Sequence, residues 1–384
     1  MKKPGLASRG MFFAFLLLLI FPAGALAHKL PAGFKGFKDS ASCAPCHKTI
    51  YDEWSRSMHS MSGRKSDPAH NAVFLAFSQF MAKSGKKAPY FCGSCHAPAA
   101  GRPVGVKETY SSAPDIPCSF CHSVESVSEG KALNTYSLST GITSAGAVSG
   151  ASAPHAVRKW SFALPSEMCL GCHGKMKNGK GTVICSMDLE GHSDCVNCHM
   201  PKTPGAPWSY AAKKTAIASE DTHFSHLFPG GHDTDMLKKA VSLSLVARSG
   251  KLLVNIKNRT PHFFPSTSPM RAAFVKVELI GKDGKILMTS PAPLPGRKVL
   301  FMRVFTAGDK KGVPPWMAEK AVDSRIKAGE TRTLTYDIPN GAVRARAGVY
   351  YRLFTPPAAA NFGIPAKDAA PVKVAEKAIT LDSR

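Results

Sequence analysis

Apolar and polar positions change rhythm twice along the 384-residue chain. An unbroken apolar run, Met11 to Phe21, opens it. Residues 40–240 then carry their apolar side chains in short helical groups between polar stretches. Tyr51, Trp54 and Met58 share one face of a helix expected from Lys48 to His59. An Asp67 cap with Pro68 in the first turn starts a second helix, striped by His70, Phe74, Phe77 and Met81. A Ser/Gly/Ala-rich loop runs from Ser137 to His155, and Thr234–Ala240 reads as a last helix. Beyond it the period drops to two. Val241–Ala247, Lys251–Lys257, Ala272–Ile280, Lys285–Thr289, Lys298–Phe305, Thr331–Asp337, Val349–Phe354 and Val372–Leu381 read as strands, with turn signals at Asp283-Gly284 and Asn340-Gly341. The pattern predicts a multidomain chain: a helical, loop-rich N-terminal domain over residues 28–240, and a C-terminal antiparallel β-sandwich of immunoglobulin-like type over residues 241–384.

The first segment stands apart from both. Lys2, Lys3 and Arg9 precede its apolar run, and Ala25-Leu26-Ala27 supplies the small-x-small pattern of a cleavage site, so residues 1–27 read as a signal peptide. The run is short of the roughly 20 residues a spanning helix needs, and no later segment resembles one. An exported protein, periplasmic or at the cell surface, is expected. The formal charge of +24 is uneven: by count, residues 28–240 carry +7 and residues 241–384 carry +14. A cationic C-terminal face suits an acidic redox partner or an anionic surface polymer, and nucleic acid is not expected outside the cytoplasm.

Cysteine placement fixes the chemistry. Of 11 cysteines, all but Cys185 fall into Cys-x-x-Cys-His. The motifs are Cys43-Ala-Pro-Cys46-His47, Cys92-Gly-Ser-Cys95-His96, Cys118-Ser-Phe-Cys121-His122, Cys169-Leu-Gly-Cys172-His173 and Cys195-Val-Asn-Cys198-His199. Two intervening residues let both sulfurs reach the two vinyl positions on one porphyrin edge, while the adjacent imidazole meets the iron. Zinc sites and dithiol redox pairs also use Cys-x-x-Cys, but five copies each followed by His leave them little room. Five haem c groups are therefore expected, with Cys185 left as a small buried apolar residue. The long-short-long-short spacing of the motifs suggests a duplicated two-haem unit behind one leading haem. About 42 residues per haem are too few for a separate apolar core around each, so the haems themselves must form the core.

The sixth position on each iron separates a carrier from a catalyst. His59 lies twelve residues after His47, about 18 Å along a straight helix, whereas two axial nitrogens on one iron stand about 4 Å apart. His59 therefore serves a different haem from that of His47. His155 ends the polar loop, His192 shortly precedes Cys195, and His223, His226 and His232 crowd one Gly/Pro-bent segment. His59, His155, His192, His226 and His232 are the candidate second ligands. His70 reads as helix packing, and His262 either reaches a haem or belongs to a structural loop.

Several stretches carry a resemblance. Cys43-Ala-Pro-Cys46-His47 leading to Trp54 and Ser57-Met58-His59, Asp115-Ile-Pro-Cys118-Ser-Phe-Cys121-His122-Ser123-Val124, Cys195-Val-Asn-Cys198-His199-Met200-Pro201 and His226-Leu-Phe-Pro-Gly-Gly-His232 are similar to elements of the multihaem cytochrome c superfamily. That superfamily includes cytochrome c nitrite reductase, hydroxylamine oxidoreductase and smaller electron carriers. The resemblance covers roughly residues 40–235 and implies a mostly helical domain of stacked, bis-histidine haems. Asn258-Arg259-Thr260-Pro261-His262 likewise resembles an Asn-x-Thr-Gly-His element of similar β-domains beside multihaem regions. The chain departs from the enzymes: it has no Cys-x-x-Cys-Lys motif, and five haem motifs rather than eight.

The leading expectation is thus an electron carrier, not an enzyme, between a quinol-linked donor and a periplasmic or extracellular acceptor. One alternative is an oxidoreductase with an open haem for a small nitrogen or sulfur compound. Another is a subunit of an extended cytochrome assembly that uses the β-domain for self-association.

Overall fold

The computed structural model describes residues 37–88, 92–99, 115–139, 142–144, 155, 157–159, 162, 166–189, 194–208, 222–266, 268, 270–290 and 300–381. The expected signal peptide and His192 lie outside the described residues.

Among the described residues, the N-terminal region has one long helix, Pro68–Ala82, whose start follows its sequence: Asp67 accepts the N–H groups of Ala69 and His70, and Pro68 occupies the first turn. The helix beginning at Lys48 ends at Ser55, four residues short of His59. Serines explain the stop. Ser57 Oγ donates to the Trp54 carbonyl at 2.7 Å and Ser60 Oγ to that of Ser55 at 2.9 Å, so side chains satisfy the terminal carbonyls that further helix would have used.

The remaining helices of this region are short and sit mostly at the Cys-x-x-Cys-His motifs. Between them run two-stranded ladders, among them Val124–Ser128 with Thr135–Leu138, Met176–Lys177 with Val183–Cys185, and Lys202–Pro204 with Thr222–Phe224. Among the described residues, the region is therefore less helical than the resemblance implies. Its own apolar cluster is small: Phe120, Val124, Tyr136 and Leu138, with Cys121 and Cys172 at the edge.

Helix Thr234–Ala240, capped by Asp233, leads directly into the first of two antiparallel sheets. The smaller has the order Thr331–Asp337, Lys251–Asn258, Val241–Arg248. The larger has seven strands. Its spine runs Lys310–Lys311, Leu300–Ala307, Ala272–Gly281, Ala342–Arg352, Val372–Thr380, with Ile286–Thr289 and Lys320–Asp323 pairing at its edges. Alternation decides what is buried: Leu252, Val254 and Ile256 from the smaller sheet meet Val275, Val277, Leu279, Ala345, Ala347 and Val349 from the larger in one core. The hairpin turn at Gly284 and the turn at Gly341, where the chain crosses from the smaller sheet to the larger, have φ of 77° and 82°, the left-handed region glycine enters without a Cβ clash.

The two regions share an extended interface. Ile184 packs with Phe305 and Ala318. Asn178 Nδ2 donates to the carbonyls of Pro315 at 3.0 Å and Ala318 at 2.7 Å. Asp188 pairs with Arg303 at 2.8 Å and also with Arg325, while Asp323 holds the same two guanidinium groups from the β side. Helix Pro68–Ala82 lays Ala69 and Ala72 near helix Pro356–Phe362, and Phe77 against Trp316 with ring centroids 5.4 Å apart.

Candidate haem-binding site

Each motif folds into about one helical turn. The N–H of His47 donates to the Cys43 carbonyl at 2.9 Å, that of His96 to Cys92 at 3.0 Å, and that of His122 to Cys118 at 3.1 Å. The fourth and fifth motifs lie in helices Ser166–His173 and Cys195–His199. Cysteines three residues apart on a helical turn share a face, which presents both sulfurs to one porphyrin edge and sets the histidine beside them.

Local capping holds these turns. Ser40 Oγ accepts the Cys118 N–H at 3.1 Å, Ser166 Oγ accepts that of Cys195 at 2.8 Å, and Asp194 caps the fifth motif. At the fourth motif, Tyr136 donates to the Met168 carbonyl at 2.9 Å, and its ring lies so close to Gly171 that a Cβ there would stand 2.0 Å from it. Glycine is the residue that position accepts.

The motifs meet edge to edge. The sulfurs of Cys43 and Cys118, of Cys95 and Cys172, and of Cys169 and Cys195 lie beside one another. Cys121 and Cys172 border the same apolar cluster. All five motifs therefore belong to one connected group. Cys185 is half-buried, with its thiol pushed up to about 11, chiefly by burial.

Second imidazoles come from distant parts of the chain. Two imidazoles on opposite sides of one iron, each nitrogen about 2.0 Å from the metal, hold their ring centroids about 6.3 Å apart. The centroids of His47 and His155 stand 6.5 Å apart, those of His59 and His173 6.4 Å, and those of His122 and His226 6.4 Å. This spacing fits a haem iron between each pair. His59 faces the fourth motif rather than its own. His70 meets His96 edge-on at 4.1 Å, too close to share an iron with it. His232 is exposed, and the charge of Asp67 reaches both it and His96. Gly231 before it lies against Arg271 and the Tyr351 hydroxyl, where a Cβ would clash.

Hydrogen bonding selects the tautomer these histidines need. Nδ1–H donates to the carbonyl of Pro207 from His47 at 2.8 Å, of Pro229 from His199 at 2.6 Å, and of Phe224 from His226 at 2.8 Å. Each Nε2 is left with its lone pair. Burial, reinforced by neighbouring imidazoles, pushes His59 down to about 3 and His173 and His226 to about 4, so all three rings are neutral at pH 7. His223 differs. Its Nδ1 lies 2.9 Å from the Gly205 carbonyl and its Nε2 3.1 Å from Glu53 Oε2, which leaves no lone pair for a metal.

Glu53, which the sequence does not single out, also accepts the N–H of His226 at 2.8 Å and so ties that loop to the first helix. Its one sequence signal is an acidic residue beside Trp54, whose indole donates to the Ile116 carbonyl at 3.0 Å.

Comparisons with known proteins bear on the kind of protein this is. The family described as cytochrome c554 and c-prime matches residues 42–123, which hold the first three motifs. Among solved structures, a penta-heme cytochrome c552 from Thermochromatium tepidum is similar at 26% identity and a TM-score of 0.70, covering 90% of this chain and 99% of that one. No curated protein matches. Five attachment turns, imidazole pairs at iron-spanning distance and these likenesses together identify the chain as a multihaem c-type cytochrome that binds five haem c groups and transfers electrons.

Proposed function

We propose that this cytochrome is an exported carrier, with every iron held between two histidines, moving electrons from a quinol-linked donor to a periplasmic or extracellular acceptor. Haem iron supplies one-electron chemistry by cycling between the ferric and ferrous states. The chain's own residues do the rest. Cys43 and Cys46, Cys92 and Cys95, Cys118 and Cys121, Cys169 and Cys172, and Cys195 and Cys198 anchor the macrocycles, and His47, His96, His122, His173 and His199 meet the irons. His155, His226 and His59 stand opposite His47, His122 and His173, and His232 serves His96. In this reading residues 1–27 direct export, residues 28–240 form the haem domain, and residues 241–384 form an immunoglobulin-like sandwich that presents the basic face to an acidic partner.

The observation that carries the reading is the set of three imidazole pairs at 6.4–6.5 Å, because iron ligated on both sides cannot bind substrate. Ferric spin resonance of the five-haem protein tests it: five low-spin irons are expected. A high-spin iron that binds nitrite or sulfite would replace the carrier with an oxidoreductase.

A further inference from the structure

Among the described histidines, His59, His155 and His226 stand across from proximal rings, and His223 has both nitrogens engaged. His70 lies on His96. His232 stands beside Arg271 and Asp67. One histidine is left to account for, and it belongs to the β region.

His262 sits on the loop between strands Lys251–Asn258 and Ala272–Gly281, where the chain crosses from the smaller sheet to the larger. That loop is rigid by construction. Asn258, fully buried, donates from Nδ2 to the carbonyls of His262 at 2.7 Å, Ile326 at 3.1 Å and Lys327 at 2.9 Å. Its Oδ1 accepts the Thr260 N–H at 3.0 Å, and the Thr260 hydroxyl lies 2.8 Å from both that Oδ1 and the His262 carbonyl.

The loop points at the haem region. The backbone of His262 forms a β-bridge with Leu189, a few residues before the fifth motif. His262 Nδ1 lies 3.2 Å from the Phe263 carbonyl, so Nδ1–H donates and Nε2 keeps its lone pair, the tautomer seen at His47, His199 and His226. His262 is half-buried where the two regions meet.

We propose that His262 is the second axial ligand of the fifth haem iron, opposite His199, so that the β region completes a redox centre of the haem region. The assignment rests on the bis-histidine reading and specifies the ligand which that reading leaves open. A rigid side-chain lock at Asn258, together with the backbone bridge to Leu189, is what such a ligand needs, because the imidazole must hold its direction.

The five-haem protein is compared with His262→Ala, His262→Met and His192→Ala, intact mass confirming five haems in each. His262→Ala gains one equivalent of high-spin ferric haem over wild type. It binds one equivalent of carbon monoxide when reduced, and added imidazole restores the low-spin state. His262→Met, which keeps a ligating atom and guards against misfolding of the alanine variant, retains the low-spin count and raises one of five reduction potentials. His192→Ala matches wild type. Unchanged spin count and potentials in both His262 variants, or the high-spin gain in His192→Ala instead, overturns the proposal. Failure of the bis-histidine reading looks different: it shows as a high-spin iron already present in wild type.

Discussion

The β region and the haem region bury their interiors by different means. Leu252, Val254, Ile256, Val275, Val277, Leu279, Phe301 and Val349 lose all solvent exposure in one continuous cluster, each aliphatic side chain worth about 1.5–3 kcal/mol. The haem region, among its described residues, has the small Phe120 cluster, and its other apolar groups lean on the β region: Ile184 on Phe305, Phe77 on Trp316. A region that binds five haem c groups and has so small an apolar cluster of its own among its described residues leaves the macrocycles to supply the apolar filling. The β region is a scaffold that holds itself. The haem region is one whose core is its cofactor.

The largest expected effect follows directly. Full-length protein made without haem attachment should lose its N-terminal structure while the sheets stay folded, so limited proteolysis should trim it to a resistant fragment starting near Val241. Digestion of both regions at one rate would show that the β region is no more self-sufficient than its neighbour.

Inside the β core, Phe301→Ala should cost about 3–5 kcal/mol. The loss belongs to the sheets, so calorimetry should show the β transition falling while the haem absorption of the native protein stays unchanged. A matching drop in haem ligation would mean that the two regions melt as one unit.

Legibility in the sequence divides along the same line. The two-residue period predicts strands such as Thr331–Asp337 to the residue, because one buried face writes itself into alternate positions. It misses the first half of Ala342–Arg352, where the buried positions are Ala345 and Ala347: small residues let the strands pack closely but carry little hydrophobic signal. It also misses Lys320–Asp323, an edge strand exposed at every position. In the haem region the attachment motifs are fully legible, because covalent chemistry fixes their spacing. The imidazole pairs are not, since they bring together residues as far apart as His122 and His226. The straight helix expected to carry His59 about 18 Å from His47 ends at Ser55, so that separation loses its premise, although the His59 ring does stand 6.4 Å from that of His173.

The seam between the regions sharpens the comparison further. Asp188 has φ of 48°, a conformation asparagine also tolerates, so Asp188→Asn removes the charge without adding backbone strain. Arg303 and Arg325, 9% and 3% exposed, would then share only Asp323. A loss of about 1–3 kcal/mol is expected, less than for a fully broken buried pair because one carboxylate remains. In thermal melts of the five-haem protein the two transitions should move apart, since the mutation weakens their coupling and leaves both cores intact.

The smallest effect is that seam's response to acid. Burial alone would raise the Asp323 carboxyl, but the hydrogen bonds and charge of Arg325, with Arg303 behind it, outweigh burial and hold it below the ordinary carboxylate value. A carboxyl whose folded value is depressed stabilises the fold above its unfolded value of about 3.9, and that contribution is lost as pH falls through the folded value. Denaturant midpoints of wild type and Asp323→Asn should therefore differ at pH 7 and converge below about pH 4, the range in which the wild-type carboxyl takes up its proton. Midpoints that stay parallel down to that pH would mean the pairing contributes nothing to the seam, and that apolar contacts such as Ile184 with Phe305 join the two regions on their own.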